Sequence, residues 1–427
     1  MLKDLINTIG SKLLIAVISL SVLLLNTNFL GASGVGTVGL LILGVSIFIL
    51  ICHFVNGGGL IYFASRYSVI SLLLISYLWI LLIALLFTLS ITFLPTFLGK
   101  YAWDLLFLGI ILAISSTNTN LLLGKEAVKN YNLCYLLQSV VQITALLIFY
   151  IHFQEPTVAE FIKATYFGYS ANLVLSFLFL IPYFDRDLKN LIPIFRALFN
   201  YGFYLQIANL LQLFNYRLSY YLLQIYSGRA ALGIYTSGVQ LSEGILLPSK
   251  SLAMVQYSRI SNIRSNQQSA KLSLSMLKLS FALTLPIILI ALSIPADFFV
   301  QILGDEFQDV KPVIALMALG ILALSMENVL GRYFSGTGRQ RVNTLNTAVG
   351  FVFTVLFGFW LIPIYGIYGA AITSSITYLS MLIFIFYQIK KKAELKNSDF
   401  VPNREDWNLL KSTFSNYLNV QKKSEKE

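Results

Sequence analysis

The residues able to do chemistry in this chain are few, and most of them sit inside apolar blocks. Arg217 lies in the run Asn215-Tyr216-Arg217-Leu218-Ser219-Tyr220-Tyr221. Gln206, Asn209, Gln212 and Asn215 lead up to it at spacings of three, a slowly drifting polar stripe on a helix. Glu243 and Lys250 follow, seven residues and thus two turns apart on one helical face, and Glu327 and Arg332 form a later pair of opposite sign. Groups of this kind either hold a polar or anionic solute in an apolar medium or pair with one another to brace the helices. Burying an Arg near a membrane-helix centre costs roughly 2.5–3.5 kcal/mol, so Arg217 calls for a partner. Two readings stand: an acidic group of a ligand, or a structural carboxylate such as Glu243. Glu243 itself either pairs with a cation or stays protonated, as a proton-coupling group or a packing residue. Lys250 lies nearer the helix end and can snorkel. Glu327 and Arg332 read first as a structural ion pair. The candidate binding residues are therefore Arg217, Asn209, Gln212, Asn215, Lys250 and Arg332, and the candidate ion-coupling residues are Glu243 and Glu327.

No nucleophilic or metal-binding constellation accompanies them. Cys52 and Cys134 form neither a disulfide framework nor a metal spacing, and His53 reads as a hydrogen-bonded packing residue. No cofactor, no metal and no catalytic residue is expected.

The elements that position these groups follow from composition. Of 427 residues, 57% are hydrophobic and 11% charged, whereas soluble domains carry roughly a quarter charged residues. The apolar residues come in blocks long enough to cross about 30 Å of hydrocarbon as helices, and the alternation of an outer-membrane barrel is absent. Twelve spans are expected, near 13–30, 37–61, 69–94, 105–123, 131–151 and 161–183, then 198–226, 230–257, 272–294, 312–334, 344–364 and 366–387. The short loops leave no room for a soluble catalytic domain, so the chain reads as a transporter and not an enzyme. The first block, with Gly31-Ala32-Ser33 after it, is read as an uncleaved span rather than a signal peptide.

An even number of spans puts both termini on one side. With that side cytoplasmic, fifteen loop cations fall inside and four outside, as the positive-inside rule requires. The net charge of +11 then reports orientation and contact with anionic inner-leaflet lipid, not nucleic acid. A faint repeat, FLGASGVGTV at Phe29–Val38 and YSGRAALGIY at Tyr226–Tyr235, is offset by 197 residues and six spans. It implies two parallel halves related by an axis along the membrane normal, an N-terminal lobe over 1–190 and a C-terminal lobe over 191–389. The basic tail, 390–427, contains a stretch with Trp407, Leu410, Phe414 and Leu418 on one helical face, read as a short amphipathic helix on the inner membrane surface. The Gly57-Gly58-Gly59 run reads as a hinge or a close helix contact.

The second half carries further pattern: LGIYTSGVQLSEGILLP at Leu232–Pro248, SRIS at Ser258–Ser261, LGDEF at Leu303–Phe307, GRYFSGTGRQRVNTLNTAVG at Gly331–Gly350 and IPIYGIYGAAI at Ile362–Ile372. In this order the pieces resemble the polysaccharide-transport branch of the multidrug/oligosaccharidyl-lipid/polysaccharide exporter superfamily, which holds the Wzx-type O-antigen and capsule repeat-unit flippases. The resemblance implies an all-α polytopic protein with two six-helix lobes around a central cavity. It implies a substrate of undecaprenyl-pyrophosphate-linked oligosaccharide, moved from the cytoplasmic to the periplasmic leaflet of the bacterial inner membrane. Membrane lipid, a polysaccharide polymerase and a chain-length regulator are the partners it suggests.

Two rivals are weighed against this. A multidrug or cation exporter of the same superfamily calls for an acidic cavity, yet the first six spans hold no interior Asp or Glu. A membrane polysaccharide polymerase or ligase calls for a sizeable external loop bearing Arg or His, and none is present.

Overall fold

The computed structural model describes residues 2–93, 99–153, 155–185, 191–260, 263 and 265–393, and its regular structure is entirely helical among them. The helices in chain order are α1 (Leu2–Asn56), α2 (Gly58–Phe63), α3 (Val69–Phe93), α4 (Ala102–Gly124), α5 (Val128–His152), α6 (Val158–Leu180), α7 (Leu191–Tyr226), α8 (Gly228–Gly244), α9 (Leu247–Ile260), α10 (Asn266–Ser293), α11 (Ala296–Leu303), α12 (Val310–Gly336) and α13 (Gln340–Ala393).

Two of these are hairpins of helices. A straight α1 would run about 83 Å against a hydrocarbon core of about 30 Å. It breaks at Gly31, whose φ of 64° lies in the left-handed region that glycine enters without steric cost. Residues on both arms, Ile18 to Asn26 and Val35 to Ser46, then line one cavity. α13 breaks likewise at Gly366, φ 54°. Its Thr354 and Thr377 hydroxyls meet at 2.9 Å, where a straight helix would hold them about 35 Å apart.

Among the described residues, eight helices are long and apolar enough to cross a membrane, and α1 and α13 cross twice. α7 is not in that set because amides, Arg217 and tyrosines lower its hydropathy. α8 and α9 are each too short alone and together make one interrupted pass. Among the described residues this makes twelve passes, eleven of them unbroken at the places expected from the sequence, and the chain is an all-α, multi-pass membrane protein.

One span departs from expectation. The segment expected as a single helix over 230–257 is interrupted at Ile245 and Leu246. Pro248 has no N–H to give the Gly244 carbonyl, and α8 ends in tight bonds from Ile245 N to Ser242 O and Leu246 N to Glu243 O, both 3.1 Å. Glu243 and Lys250 therefore belong to different helices and do not share one helical face. The tail expected to form an amphipathic helix, with Trp407 and Leu418, lies outside the described residues.

Polar side chains join the passes of the first half where lipid offers no hydrophobic drive. Tyr77 donates to Asn118 Oδ1 at 2.6 Å, Asn118 Nδ2 to Ser176 Oγ at 3.3 Å, and Asn120 Nδ2 to the Asn56 carbonyl at 2.9 Å. His53 Nε2 meets Ser116 Oγ at 3.0 Å. The triple glycine admits α7 closely: a methyl at Gly59 would touch Leu198 and Tyr201, and one at Gly57 would touch Gln206.

At the end of α6, Asp185 caps α3. Burial acts to raise its carboxyl pKa, but the Ser68 hydroxyl and the Val69 and Ile70 N–H groups outweigh it and hold the group below its ordinary value of 3.8. A depressed carboxylate stabilises the fold above that value and ceases to do so as pH falls through its lowered one. Asp185→Asn, which keeps the shape but removes the charge that the hydroxyl and N–H groups donate to, is expected to cost about 1 kcal/mol at pH 7. Thermal unfolding in detergent at pH 7 and near pH 3 checks this, with the gap between wild type and variant closing at the lower pH.

Candidate transport cavity

Between the first and second halves lies a cleft of about 420 Å³, lined by both arms of α1, by α5 and α6, and by α7 and α8. A second chamber of about 380 Å³ runs on from it, sharing Ile42, Ser46 and Tyr169. Both are open clefts rather than sealed voids.

Arg217 and Glu243 face the first chamber together, Arg217 Nη1 lying 3.4 Å from Glu243 Oε1 with each side chain 30% exposed. That separation is longer than a charge-assisted hydrogen bond. The short bond from the guanidinium goes to the Tyr220 hydroxyl, 2.6 Å from Nη1, and the Tyr220 ring sits 4.9 Å from Arg217 Cζ. A guanidinium has five N–H donors, so this arrangement leaves donors directed at the chamber. Both expectations for Arg217, a cavity-facing cation and a partner in Glu243, describe the same geometry. The pair is backed by Tyr235, whose hydroxyl meets Ser374 Oγ at 2.8 Å, and by the edge-on contact of Tyr216 with Tyr378.

The amide stripe of α7 divides. Gln206, Asn209 and Gln212 line the second chamber, with Asn209 Nδ2 bonded to Gln206 Oε1 at 3.0 Å. Asn215 instead turns away and gives its Nδ2 to the Thr347 carbonyl of α13 at 2.9 Å. The reason is the helical period: a spacing of three falls short of a turn by about 60°, so nine residues carry the stripe to the opposite side. Arg217, eleven residues after Gln206, comes back to within about 20° of it.

The remaining candidates lie elsewhere. Lys250 is exposed on α9 and lines neither chamber. Glu327 sits between α12 and α13, where its Oε1 accepts from Asn346 Nδ2 at 2.7 Å. Arg332 is exposed, and among the described residues no ion pair joins it to Glu327. Asn346 holds the carboxylate that Arg332 was expected to hold.

Sequence reasoning missed the facing wall. Gln138, Ser139 and Gln142 of α5, with Ser19, Asn26 and Gln240, complete the first chamber. Gln138 Oε1 accepts from Asn172 at 2.6 Å and Gln142 Nε2 donates to Thr165 at 3.1 Å. Two glutamines one turn apart in an otherwise apolar span were a usable signal. The chamber is thus walled by amides, hydroxyls and one neutralised ion pair set among aliphatic side chains.

One end of the cleft is fastened. Glu306 Oε2 accepts from the Ala32 N–H at 2.6 Å, at the start of the second arm of α1, and Asn28 Nδ2 donates to the Ile302 carbonyl at 2.6 Å. Below them α1 and α8 touch backbone to backbone. A methyl at Gly36 would lie 1.9 Å from Arg229 O, and one at Gly233 would lie 1.8 Å from Ala32 O. Gly36 and Gly233, like Ala32 and Arg229, are separated by the 197 residues of the faint repeat. The repeat therefore meets itself, with reciprocal contacts of the kind a two-fold axis produces.

Residues 169–312 match the family described as polysaccharide biosynthesis protein. An uncharacterized membrane protein of Methanocaldococcus jannaschii is 26% identical over 115 residues, which is 27% of this chain and 23% of that one. The fold is similar to that of the lipid II flippase MurJ in an inward closed conformation, with TM-score 0.75, 14% identity, and coverage of 98% of this chain and 93% of that one. An inward-facing multidrug resistance MATE family transporter of the MOP superfamily matches at TM-score 0.71 and 14% identity, covering 89% and 94%. A MOP superfamily transporter from Pyrococcus furiosus matches at 0.64 and 15%, covering 92% and 96%. The family match covers about a third of the chain, and over nearly its whole length the chain has the fold of these solved transporters.

Proposed function

We propose that the chain is a flippase for undecaprenyl-pyrophosphate-linked oligosaccharide repeat units, carrying them from the cytoplasmic to the periplasmic leaflet for surface polysaccharide synthesis. The observation that carries this reading is the cleft between the halves, whose amides and hydroxyls stand among aliphatic side chains around Arg217 and Glu243. Sugar hydroxyls exchange hydrogen bonds with water for bonds with such groups, while phosphate charge in hydrocarbon is costly unless paired. Arg217 is the group for the acidic part of the head, with Gln138, Gln142, Asn209 and Gln212 for the sugars. The isoprenoid tail stays in lipid throughout. No reacting constellation is called for, since translocation breaks no bond.

In this proposal residues 1–190 and 191–389 rock as two lobes. The termini are cytoplasmic and the membrane is the bacterial inner membrane. The fastened end at Gly31, Gly36 and Gly233 then faces the periplasm, and the cleft is in its cytoplasm-facing state. Glu243 and Glu327 are the carboxylates available for proton or ion coupling. A polymerase and a chain-length regulator act downstream. A cationic-drug exporter is the reading Glu243 alone would favour, but Arg217 neutralises that carboxylate.

Deleting the gene and extracting lipid-linked sugars tests the assignment. The expected result is accumulation of single, unpolymerised repeat units confined to the cytoplasmic leaflet. Single units in the periplasmic leaflet would indicate a polymerase. Unchanged lipid-linked sugars and surface polysaccharide would sink the flippase reading.

A further inference from the structure

We propose that the crevice between the two arms of α13 binds one acyl chain of an anionic phospholipid, with its phosphate held between Arg341 and Lys391. The crevice has a volume of about 540 Å³ and is walled by Val349 and Phe353 of the first arm and Ile376, Leu379, Ile383 and Tyr387 of the second. It shares no residue with the transport cleft. Of its two hydroxyls, that of Ser380 is turned back to the Thr377 carbonyl at 2.7 Å, and that of Tyr387 belongs to the last residue of the wall, toward Lys391, so between Ile376 and Ile383 the wall offers a chain nothing polar. Ile383 and Tyr387 are 68% and 59% exposed, which makes the crevice accessible from the bilayer.

Length and charge identify the occupant. From Ile376 to Tyr387 the wall extends about 17 Å along the helix, close to the depth of one leaflet of a hydrocarbon core about 30 Å thick. Continuing the wall by steps of four residues leads on the first arm from Phe353 and Val349 through Leu345 to Arg341. On the second arm it leads from Ile383 through Tyr387 to Lys391. Both cations are exposed. The arms pair in a fixed register, since Thr354 meets Thr377 and a methyl at Gly350 would touch Met381. Extended outward, that register brings Arg341 level with Lys391 to within a residue. An apolar slot one leaflet deep therefore ends between two cations at the membrane surface. A phosphate with no compensating choline suits that mouth best. A polyprenyl chain, several times longer than one leaflet, would overrun the slot.

The test uses the purified full chain in mild detergent, mixed with phosphatidylglycerol or with phosphatidylcholine of identical chains, with bound lipid counted by native mass spectrometry. Phosphatidylglycerol is expected to be retained in clear preference. Arg341→Gln and Lys391→Gln should each lower that retention about five-fold, as expected for a surface cation near anionic lipid. Ser380→Trp, which fills the slot and keeps both cations, should abolish it. Both glutamine variants alter exposed residues only, so they remain informative even if the tryptophan variant fails to fold. Equal retention of the two lipids, or retention indifferent to both glutamine variants, overturns the proposal. So does displacement of phosphatidylglycerol by undecaprenyl phosphate at equal concentration, which would make the slot an isoprenoid site. None of these readouts depends on the substrate assigned to the transport cleft.

Discussion

Arg217→Ala is expected to abolish export while the protein still reaches the membrane at normal levels. The substitution removes the cation that faces the cleft and leaves Glu243, 3.4 Å away, without its partner. Both side chains are 30% exposed to the cleft, so the abandoned carboxylate keeps access to water and the folding cost is well below that of a sealed ion pair. The variants Glu243→Gln and Arg217→Ala/Glu243→Ala separate the two roles of the pair. If Arg217 serves an acidic head, Glu243→Gln retains export and the double variant does not. If the pair only braces α7 against α8, each single variant lowers protein abundance and the double variant restores both abundance and export. Lipid-linked repeat units and surface polysaccharide, quantified beside immunoblots of membranes, distinguish these outcomes. Normal export in Arg217→Ala would remove this residue from the site.

The second large effect is expected at the fastened end. Gly233→Val places side-chain atoms where the Ala32 carbonyl now lies, because even a methyl would come within 1.8 Å of that oxygen. Overpacking of a close contact costs roughly 1–3 kcal/mol, and this cost falls on the closed state alone. The closed-to-open ratio should drop about 5- to 150-fold. A cysteine replacing Thr37, buried beside this contact, in a chain lacking Cys52 and Cys134, should then react readily with a membrane-impermeant maleimide. Gly244→Ala is the control, since a methyl there meets nothing within 4 Å. Unchanged labelling in Gly233→Val would show that the glycine contact does not hold this end shut.

The passes were legible because length decides them. An apolar block of about twenty residues has one way to satisfy its backbone in lipid, and the eight long apolar helices fall where such blocks occur. What composition could not convey was the break at Ile245, which depends on Pro248 withholding a single hydrogen bond. It also could not convey which side of α7 each amide takes. Gln206 and Asn215 look alike in sequence, and only the accumulated turn between them sends one to the cleft and the other to Thr347. Long-range partners were invisible for a different reason. Glu306 was noticed within Leu303–Phe307 as part of a family pattern, but its ligand, the Ala32 N–H, is 274 residues away. The faint repeat fared better than its ten residues promised. Glycines are placed by backbone proximity, and the same proximity recurs at Gly36 and Gly233.

The pairing of Arg217 with Glu243 has an electrical consequence. In the proposed two-lobe cycle, an empty cleft that holds one positive and one negative group carries no net charge through the membrane field as the halves exchange positions. Voltage then leaves the return stroke untouched. A bound pyrophosphate changes this, because the loaded cleft becomes negative. In the orientation proposed, a potential of 100 mV, negative inside, favours outward movement by about 2.3 kcal/mol for each charge crossing the full field. Under the proposed function the ion pair would thereby confine the work of the membrane potential to the half-cycle that carries cargo, and export would be rectified even without a coupling ion.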